Sequence, residues 1–294
     1  MKRGHSQSNR GNTRKPVDPF GHLADSLHRN WRRYLKRHMR CMKELTKRTV
    51  HRSRVQTRRL FTQLELLKGF VPAKELKEAR RTLKRHHKLF RDIRDAHVQI
   101  ALVDDVRGEL PVAAAFGAWL RKRETRASRK ARGAIKRVKT KRLKGRIAAF
   151  EKELRERSKG ASQGRDLQEL RDAIAQAFER VKDRERGVDA ADPATIHRAR
   201  VALKRYFYIV EALPAAMSGM SEQRRRAMQK CISRMGKIQD VEVLIAALQS
   251  FEHEKETVEG SVRELREGLW SRRAELIQGH MLTGRNISSF GPTQ

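Results

Sequence analysis

One pattern of histidine and basic residues occurs twice in the chain. Residues 50–61 read VHRSRVQTRRLF and residues 196–207 read IHRARVALKRYF, at a constant offset of 146 positions. The guanidinium group of arginine offers a planar fork of N–H donors to the oxygens of an anion, and the ammonium group of lysine offers a compact charge. The repeated pattern therefore predicts an anion-binding site built from two halves.

Both copies fit an amphipathic helix when the chain is drawn with a turn of about 100° per residue. The basic stripe of the first copy consists of His51, Arg54 and Arg58. The equivalent stripe of the second copy consists of His197, Arg200 and Lys204. A second basic row beside the stripes holds Arg59 and Arg205. The apolar residues gather on one broad side, so the two helices present the same polar face.

The two histidines allow two interpretations. An adjacent anion favours the protonated imidazole, which could then donate to a phosphate, while neighbouring arginines oppose protonation. A neutral histidine that caps or packs the start of a helix fits His51 and His197 equally well. The residues by themselves leave both interpretations open.

A second repeated motif follows each copy of the first. Residues 93–100 read IRDAHVQI and residues 238–245 read IQDVEVLI, at an offset of 145. Two motifs that keep their order and nearly their spacing favour duplication of a helical unit. Further basic residues are predicted to form a ridge beside each stripe: Lys84, Lys88, Arg91 and Arg94 in the first half, and Lys230, Arg234 and Lys237 in the second. Asp95 and Asp240 are predicted to hold a neighbouring arginine or to cap a helical turn.

The charge of the chain predicts a polyanionic partner. The 69 Lys and Arg residues exceed the 34 Asp and Glu residues, which gives a formal net charge of +35. Self-repulsion on that scale destabilises a compact chain unless an anion screens it. Cys41 and Cys231 offer neither a disulfide framework nor zinc-site spacing, and no export signal or membrane span is recognisable. We therefore expect a cytoplasmic protein whose partner is nucleic acid, polyphosphate or an anionic membrane.

The apolar spacing is helical nearly throughout, and strand patterns are scarce, so an all-α fold is predicted. One helix is expected over about 18–47, and a very long basic helix over 116–157. Asp192 and Pro193 predict the start of the second motif helix, as N-cap and first helical residue.

The predicted units follow from composition and from the linker candidate SKGASQG. They are a disordered basic tail at 1–16, a first helical bundle at 17–157, a linker at 158–164, a second helical bundle at 165–280, and an irregular tail at 281–294.

The repeated motif resembles the CHAD domain, the conserved histidine α-helical domain. The resembled pattern is an apolar residue, His, two spacers, Arg, Val, two spacers and a basic pair, and it occurs at 50–59 and 196–205. The resemblance covers about 20–278. Gln239 departs from it, because it replaces the basic residue that precedes the Asp of the downstream motif.

The resemblance implies two helical bundles related by a pseudo-twofold axis, with long antiparallel helices and a basic central cavity. It also implies that the chain binds inorganic polyphosphate and is not an enzyme by itself. The residues of both stripes, the second row and the ridges are the predicted polyphosphate-binding residues. Association with polyphosphate granules is a further expectation.

The sequence gives little support to an enzyme, since it has no phosphate loop of P-loop spacing and no nucleophile elbow. No cofactor and no metal site are expected, and the oligomeric state stays open. The main alternative is a protein that binds the phosphate backbone of nucleic acid. Residues 121–146 favour it, with fourteen basic residues against Glu124. Aromatic residues form only 5% of the chain, which disfavours a stacking platform for single strands.

Overall fold

The computed structural model describes residues 18–106, 111–160, 163–254, 259–283 and 287–291. Within these ranges the chain forms eleven α-helices and one 3-10 helix and no β-strand, which confirms the all-α prediction. The α-helices are α1 (Pro19–Lys43), α2 (Lys47–Leu66), α3 (Ala73–Leu89), α4 (Arg91–Val106), α5 (Pro111–Lys136), α6 (Thr140–Arg157), α7 (Gln163–Arg186), α8 (Pro193–Glu211), α9 (Ala215–Ser218), α10 (Glu222–Glu254) and α11 (Glu259–Thr283).

Side-chain caps fix where the two motif helices begin. At α2, Thr49 N donates to Thr46 Oγ1 at 3.2 Å and Thr46 N donates to Thr49 Oγ1 at 2.9 Å, which completes a capping box. At α8, Ala194 N donates to Asp192 Oδ1 at 3.0 Å, which confirms Asp192 as the N-cap. Each cap lies five positions before the histidine of its motif, so both copies enter their helix in the same register.

Two of the predicted helices are interrupted, and the predictions were wrong there. The helix expected over 18–47 ends at Lys43, because Glu44 is extended and Thr46 starts α2. The helix expected over 116–157 is divided into α5 and α6 by the turn at 137–139. The turn lets the two helices bury their apolar residues in different places. Ala131 and Ile135 of α5 pack beside α2 and α4, whereas the apolar face of α6 joins the largest core cluster.

The largest buried cluster draws residues from both predicted bundles. It contains side chains of α1, α2, α3 and α6 as well as side chains of α7, α8 and α10. The motif helices α2 and α8 pack against each other, and α4 packs against α10. The two repeated motifs therefore meet in the middle of the molecule. The bundle boundaries, and the pseudo-twofold relation of whole bundles, stay predictions.

Part of the C-terminal segment belongs to the described residues, and the N-terminal tail does not. The tail predicted at 1–16 lies outside the described residues. Within the predicted irregular segment 281–294, α11 continues to Thr283, and Ile287–Phe290 forms the 3-10 helix. Tyr206 Oη donates to Phe290 O at 3.1 Å, and the Phe290 side chain is buried. This part of the segment thus packs against the core. Helix α7 begins at Gln163, inside the predicted linker.

Candidate anion-binding site

Cations from both motif helices gather between α2 and α8. The members of this cationic cluster are all half-buried: Arg54 and Arg58 of α2, Arg94 of α4, and Arg200 and Lys204 of α8. They influence one another directly, since the charges of the four arginines all lower the pKa of Lys204. The prediction that the stripes face a common place, and not opposite outer surfaces, agrees with this geometry.

Two members of the cluster, Arg58 and Lys204, line a cavity of about 230 Å³, here called the central cavity. Its basic and imidazole walls come from three helices, namely Arg58 of α2, Lys84 and His87 of α3, and Lys204 and Arg205 of α8. Phe61, Thr62, Glu65 and Val201 complete the lining. Basic groups from both halves of the chain therefore border one concave space.

Backbone carbonyl groups hold the two central arginines in equivalent ways. Arg54 Nη1 donates to His87 O at 2.8 Å, and Arg200 Nε donates to Ile232 O at 3.3 Å. The arginines are 146 positions apart and their acceptors are 145 apart, so the same contact occurs in both halves. Each guanidinium is thereby oriented while other N–H groups stay available to an anion.

Two further features of the cluster fit a bound anion, namely the space beside Arg200 and an unpaired donor of Arg94. A Cβ atom on Gly236 of α10 would lie 3.2 Å from Arg200 Nη2, so the missing side chain lets the guanidinium rest against that helix. Arg94 Nη1 is buried and has no hydrogen-bond partner among the described residues. A buried donor without a partner is costly, and a bound oxyanion would satisfy it.

Burial perturbs the titration of the cluster strongly. Desolvation, followed by Arg58 and Arg200, lowers the pKa of Lys204 to about 7. Desolvation also lowers the pKa of Arg54 to about 10, which still leaves the guanidinium charged at neutral pH. These shifts follow from holding like charges together in a partly dry space.

Two carboxyl groups lie beside the cluster. Among the neighbouring charges, Arg54 has the largest effect on the pKa of Asp95, and Arg94 has the largest effect on the pKa of Asp240. Their position is consistent with the predicted structural role, and burial raises the pKa of both groups despite the cations. Two carboxylates beside five basic groups leave the site strongly positive.

His87 belongs to the site although the sequence did not single it out. Arg58 Nη2 donates to His87 Nε2 at 3.2 Å, so this nitrogen carries the lone pair and the ring is neutral. Desolvation and the charges of Arg54 and Arg58 lower its pKa to about 3. The position 145 residues later is Ile232, so the repeat could not reveal this histidine.

Each motif histidine lies near a cation of the other half. His51 is exposed at the edge of the cluster, where desolvation, Arg94 and Lys204 lower its pKa. His197 is half-buried, and desolvation, Arg200 and Arg58 lower its pKa. The Nδ1 atom of His197 is buried and lacks a partner among the described residues. Both shifts favour the neutral imidazole.

The two arginines of the second basic row form ion pairs with glutamates of the opposite motif helix. Arg59 donates to both carboxylate oxygens of Glu211, at 2.8 Å each, and Arg205 Nε lies 2.5 Å from Glu65 Oε2. Both partners are shifted by the same 146 positions, so the two ion pairs are reciprocal across the α2–α8 interface. Binding of phosphate by Arg59 and Arg205 stays a prediction, and the structure adds that both side chains form ion pairs that tie the halves together. The acids could have been found, since Glu65 and Glu211 repeat at the offset of the motif.

The remaining predicted residues lie farther out. Arg91 is exposed and close enough to Arg54 to lower its pKa. Arg234 Nη2 donates to Thr283 O at 3.5 Å, so its side chain turns toward the end of α11 and not toward the cluster. Three ridge lysines are exposed and do not line the central cavity: Lys88, Lys230 and Lys237.

The fold and the site together define an all-helical protein in which two copies of a basic helix border one cationic cavity. The model of the CHAD domain matches residues 23–249, and the chain belongs to this family. A search of curated proteins found no match. Of the helices described, none is long and apolar enough to cross a membrane.

Two solved structures share the fold. The crystal structure of the CHAD domain from the plant Ricinus communis aligns with a TM-score of 0.62 and 17% identity, over 92% of this chain and 89% of that chain. PptA from Streptomyces chartreusis aligns with a TM-score of 0.63 and 16% identity, over 92% of this chain and 99% of that chain. At such identities the likeness concerns the fold.

Proposed function

We propose that the chain binds inorganic polyphosphate in the cleft between α2 and α8 and does not turn it over. The observation that carries the proposal is the half-buried cationic cluster, with members from both repeats around one cavity. Polyphosphate is a flexible chain of phosphates without bases, so recognising it requires many cationic donors and little else. Association with polyphosphate granules in the cytoplasm would follow from such binding.

The clustering of like charges in the cleft favours an anionic ligand. Burying like charges without a counter-ion is unfavourable, and for this reason the pKa of Lys204 is lowered. A phosphate chain would supply the missing negative charge and accept the unused N–H groups of Arg94 and Arg200. Charge-assisted hydrogen bonds of this type contribute about 1.5–3 kcal/mol each.

The shape of the cavity favours polyphosphate over nucleic acid. A space of about 230 Å³ between helices admits a thin chain, whereas duplex DNA presents its phosphates on a wide, stiff cylinder. Phe61 is the aromatic side chain of the cavity, and the guanidinium of Arg80 lies 5.1 Å from its ring centroid. That ring face is therefore not free to stack on a base.

A four-residue variant tests the proposal. It carries Arg54→Gln, Arg58→Gln, Arg200→Gln and Lys204→Met, which remove charge and roughly keep side-chain length. We expect at least a hundredfold loss of affinity for long-chain polyphosphate, because four charge-assisted contacts disappear. The slope of log affinity against log salt should also fall by about 3, at roughly 0.7 per contact on a single-stranded polyanion.

The matched control removes four exposed cations that pair locally with glutamates: Lys152, Arg226, Arg263 and Arg272. The control should keep its affinity within a few-fold, and circular dichroism should show both variants helical. A competition of labelled polyphosphate against tRNA and duplex DNA at physiological salt completes the test. Preference for nucleic acid, or equal losses in the two variants, would contradict the proposed site. Release of orthophosphate from polyphosphate would contradict binding without turnover.

A further inference from the structure

The second half of α10 packs against α11, and this part of the chain is not basic. Residues 238–254 contain four acidic residues and no lysine or arginine, and residues 259–283 contain four acidic residues and four arginines. Eight acids against four arginines give these two segments a net charge of −4, in a chain whose net charge is +35. We call their exposed surface the α10–α11 face.

The arginines of the α10–α11 face are already paired within it. Each of the four lies close to a glutamate carboxylate. The contacts are Arg263 Nε to Glu267 Oε1 at 3.0 Å, Arg266 Nη2 to Glu252 Oε1 at 2.6 Å, Arg272 Nη1 to Glu275 Oε2 at 3.2 Å and Arg273 Nη1 to Glu242 Oε1 at 3.2 Å. An arginine that already faces a carboxylate is a poor ligand for a phosphate, so this face suits a partner other than a polyanion.

An exposed tryptophan borders a groove on this face. The groove has a volume of about 330 Å³ and runs between α10 and α11, and its apolar part is lined by Ile245, Ala246 and Trp270. The Trp270 side chain is 46% exposed, whereas Trp31 and Trp119 are 5% and 8% exposed. Tryptophan is enriched among the residues that contribute most to protein–protein binding. The groove and the exposed ring therefore indicate a docking surface.

The neighbourhood of Trp270 fits contact with an identical face. At about 100° per residue, Ala274 lies about 40° from Trp270 and one turn further along α11, and it is exposed. If two α11 helices run antiparallel about a twofold axis between these positions, Trp270 of each copy lies over Ala274 of the other. A large side chain then meets a small one twice, which lets the two helices approach closely.

We infer that two copies of the chain associate through the α10–α11 face, with both Trp270 side chains at the centre of the contact. Charge favours a second copy here, because chains with a net charge of +35 repel one another wherever their basic faces meet. On the α10–α11 face the paired arginines and glutamates remove most of that local repulsion. A dimer would join two cationic clefts, a consequence that rests on the proposed function, whereas the dimer itself does not.

The size of the face predicts a weak dimer. The 17 residues of 238–254 extend about 25 Å at 1.5 Å per residue, and two helices about 10 Å apart make the face about 20 Å wide. Each copy would therefore bury about 500 Å², or about 1,000 Å² for the pair, which is near the lower limit for a specific interface. We expect a dissociation constant on the order of ten micromolar or weaker.

The net charge also predicts how salt affects the dimer. Repulsion between two strongly basic chains is screened over about 10 Å at 0.1 M salt, so added salt reduces it. Burial of Trp270 does not depend on such screening. Salt should therefore strengthen association through the α10–α11 face. A contact between the acidic residues of one copy and a basic face of another would be weakened by salt instead.

Sedimentation equilibrium of the full chain, without any polyanion, tests the inference over a range of protein and salt concentrations. Two variants change the face: Trp270→Ala removes the exposed ring, and Ala274→Arg places a bulky cation opposite it. Two controls make the same kinds of change elsewhere. Leu282→Ala truncates a side chain that is 79% exposed and lies about 120° around α11 from Trp270, and Ala148→Arg alters an exposed position of α6. Circular dichroism should show all four proteins helical.

Wild-type protein and both controls should form dimers, with dissociation constants that fall several-fold from low to physiological salt. Trp270→Ala and Ala274→Arg should each weaken dimerisation at least about tenfold, as expected for the centre of an interface. Because Trp31 and Trp119 are buried, quenching of tryptophan fluorescence by acrylamide reports mainly on Trp270. The quenching should decrease as wild-type protein dimerises.

Three results would overturn the inference. The first is a wild-type chain that stays monomeric at every protein and salt concentration. The second is dimerisation of both face variants with the affinity of the controls, which would place the contact elsewhere. The third is association that weakens as salt rises, which would indicate an acidic face bound to a basic one. Because the measurement contains no polyphosphate, none of these results decides whether the proposed function holds.

Discussion

Lys204 should make polyphosphate binding depend on pH. The charges of four arginines on three helices lower the pKa of its ammonium group: Arg54 and Arg58 of α2, Arg94 of α4 and Arg200 of α8. Lys204 in turn lowers the pKa of His87 of α3 and of His51 of α2. Two carboxyl groups belong to its surroundings: Glu65 of α2 lines the same cavity, and Lys204 acts electrostatically on Asp240 of α10. Burial and the charges of the four arginines lower the pKa of Lys204 to about 7, so roughly half of the unliganded molecules carry a neutral amine at neutral pH.

The size of the effect follows from linkage. A bound phosphate chain favours the ammonium form and should return the pKa of Lys204 toward its ordinary value of about 10.4. Binding above pH 7 then requires uptake of a proton. The expected loss of affinity is about tenfold between pH 6 and pH 8, and about tenfold for each further pH unit until the pKa of the complex is reached. The pKa values of the neighbouring histidines are already lowered, so those rings titrate in more acidic solution.

The assay is fluorescence anisotropy with labelled long-chain polyphosphate at pH 6, 7, 8 and 9 and constant ionic strength, because the interior phosphates of a long chain keep the same charge over this range. Lys204→Arg keeps a cation that does not titrate, so its affinity should be nearly flat. Calorimetry in two buffers of different ionisation enthalpy should show proton uptake by wild-type protein and none by Lys204→Arg. An equal pH dependence in both proteins would refute the assignment to Lys204, and a flat wild-type curve would refute the reasoning from burial.

Three further outcomes are expected. Lys204→Met should raise the free energy of unfolding by roughly 1–3 kcal/mol at pH 6, because a buried charge among cations disappears. This gain in stability should shrink from pH 7 toward pH 10, since in that range the unfolded wild-type chain binds a proton at Lys204 that the folded chain does not bind. Thermal denaturation at several pH values measures the gain, and destabilisation at pH 6 would contradict the prediction. Gly236→Ala should raise the melting temperature, because alanine has the higher helix propensity by about 0.5–1 kcal/mol. The same substitution should weaken polyphosphate binding several-fold, because the new Cβ would lie 3.2 Å from Arg200 Nη2. Unchanged affinity would show that the position of Arg200 does not depend on this space. A double-mutant cycle on Arg59 and Glu211 should give a coupling free energy of unfolding of about 0.5–1 kcal/mol, because the bidentate ion pair is about 30% exposed. If the effects of the two single substitutions on stability are additive, the ion pair does not join the halves.

The sequence predicted the parts of the site that local periodicity determines. Helical spacing put His51, Arg54 and Arg58 on one stripe, and the capping residue Asp192 fixed the register of the second copy. Because the duplication kept the spacing, both stripes could be assigned before any tertiary contact was known. The all-α fold followed from the same signal.

Features that depend on tertiary packing could not be read in this way. The pairing of Arg59 with Glu211 depends on how α2 crosses α8, which no periodicity within one helix encodes. His87 lies outside the repeat and joins the site only because α3 packs beside α2. Arg234 shares a predicted ridge with Lys237 but turns to the end of α11, because position on a wheel does not say which neighbour a helix face meets. The break between α5 and α6 arises from two separate cores that a continuous helix could not fill.

The most direct test of the proposed binding site is a crystal structure of the chain soaked with a short polyphosphate. We expect phosphate density between α2 and α8, with oxygen atoms within hydrogen-bonding distance of Arg58, Arg200 and Lys204 Nζ. Density confined to the exposed basic face of residues 121–146, with the cleft between the motif helices closed to the ligand, would contradict it.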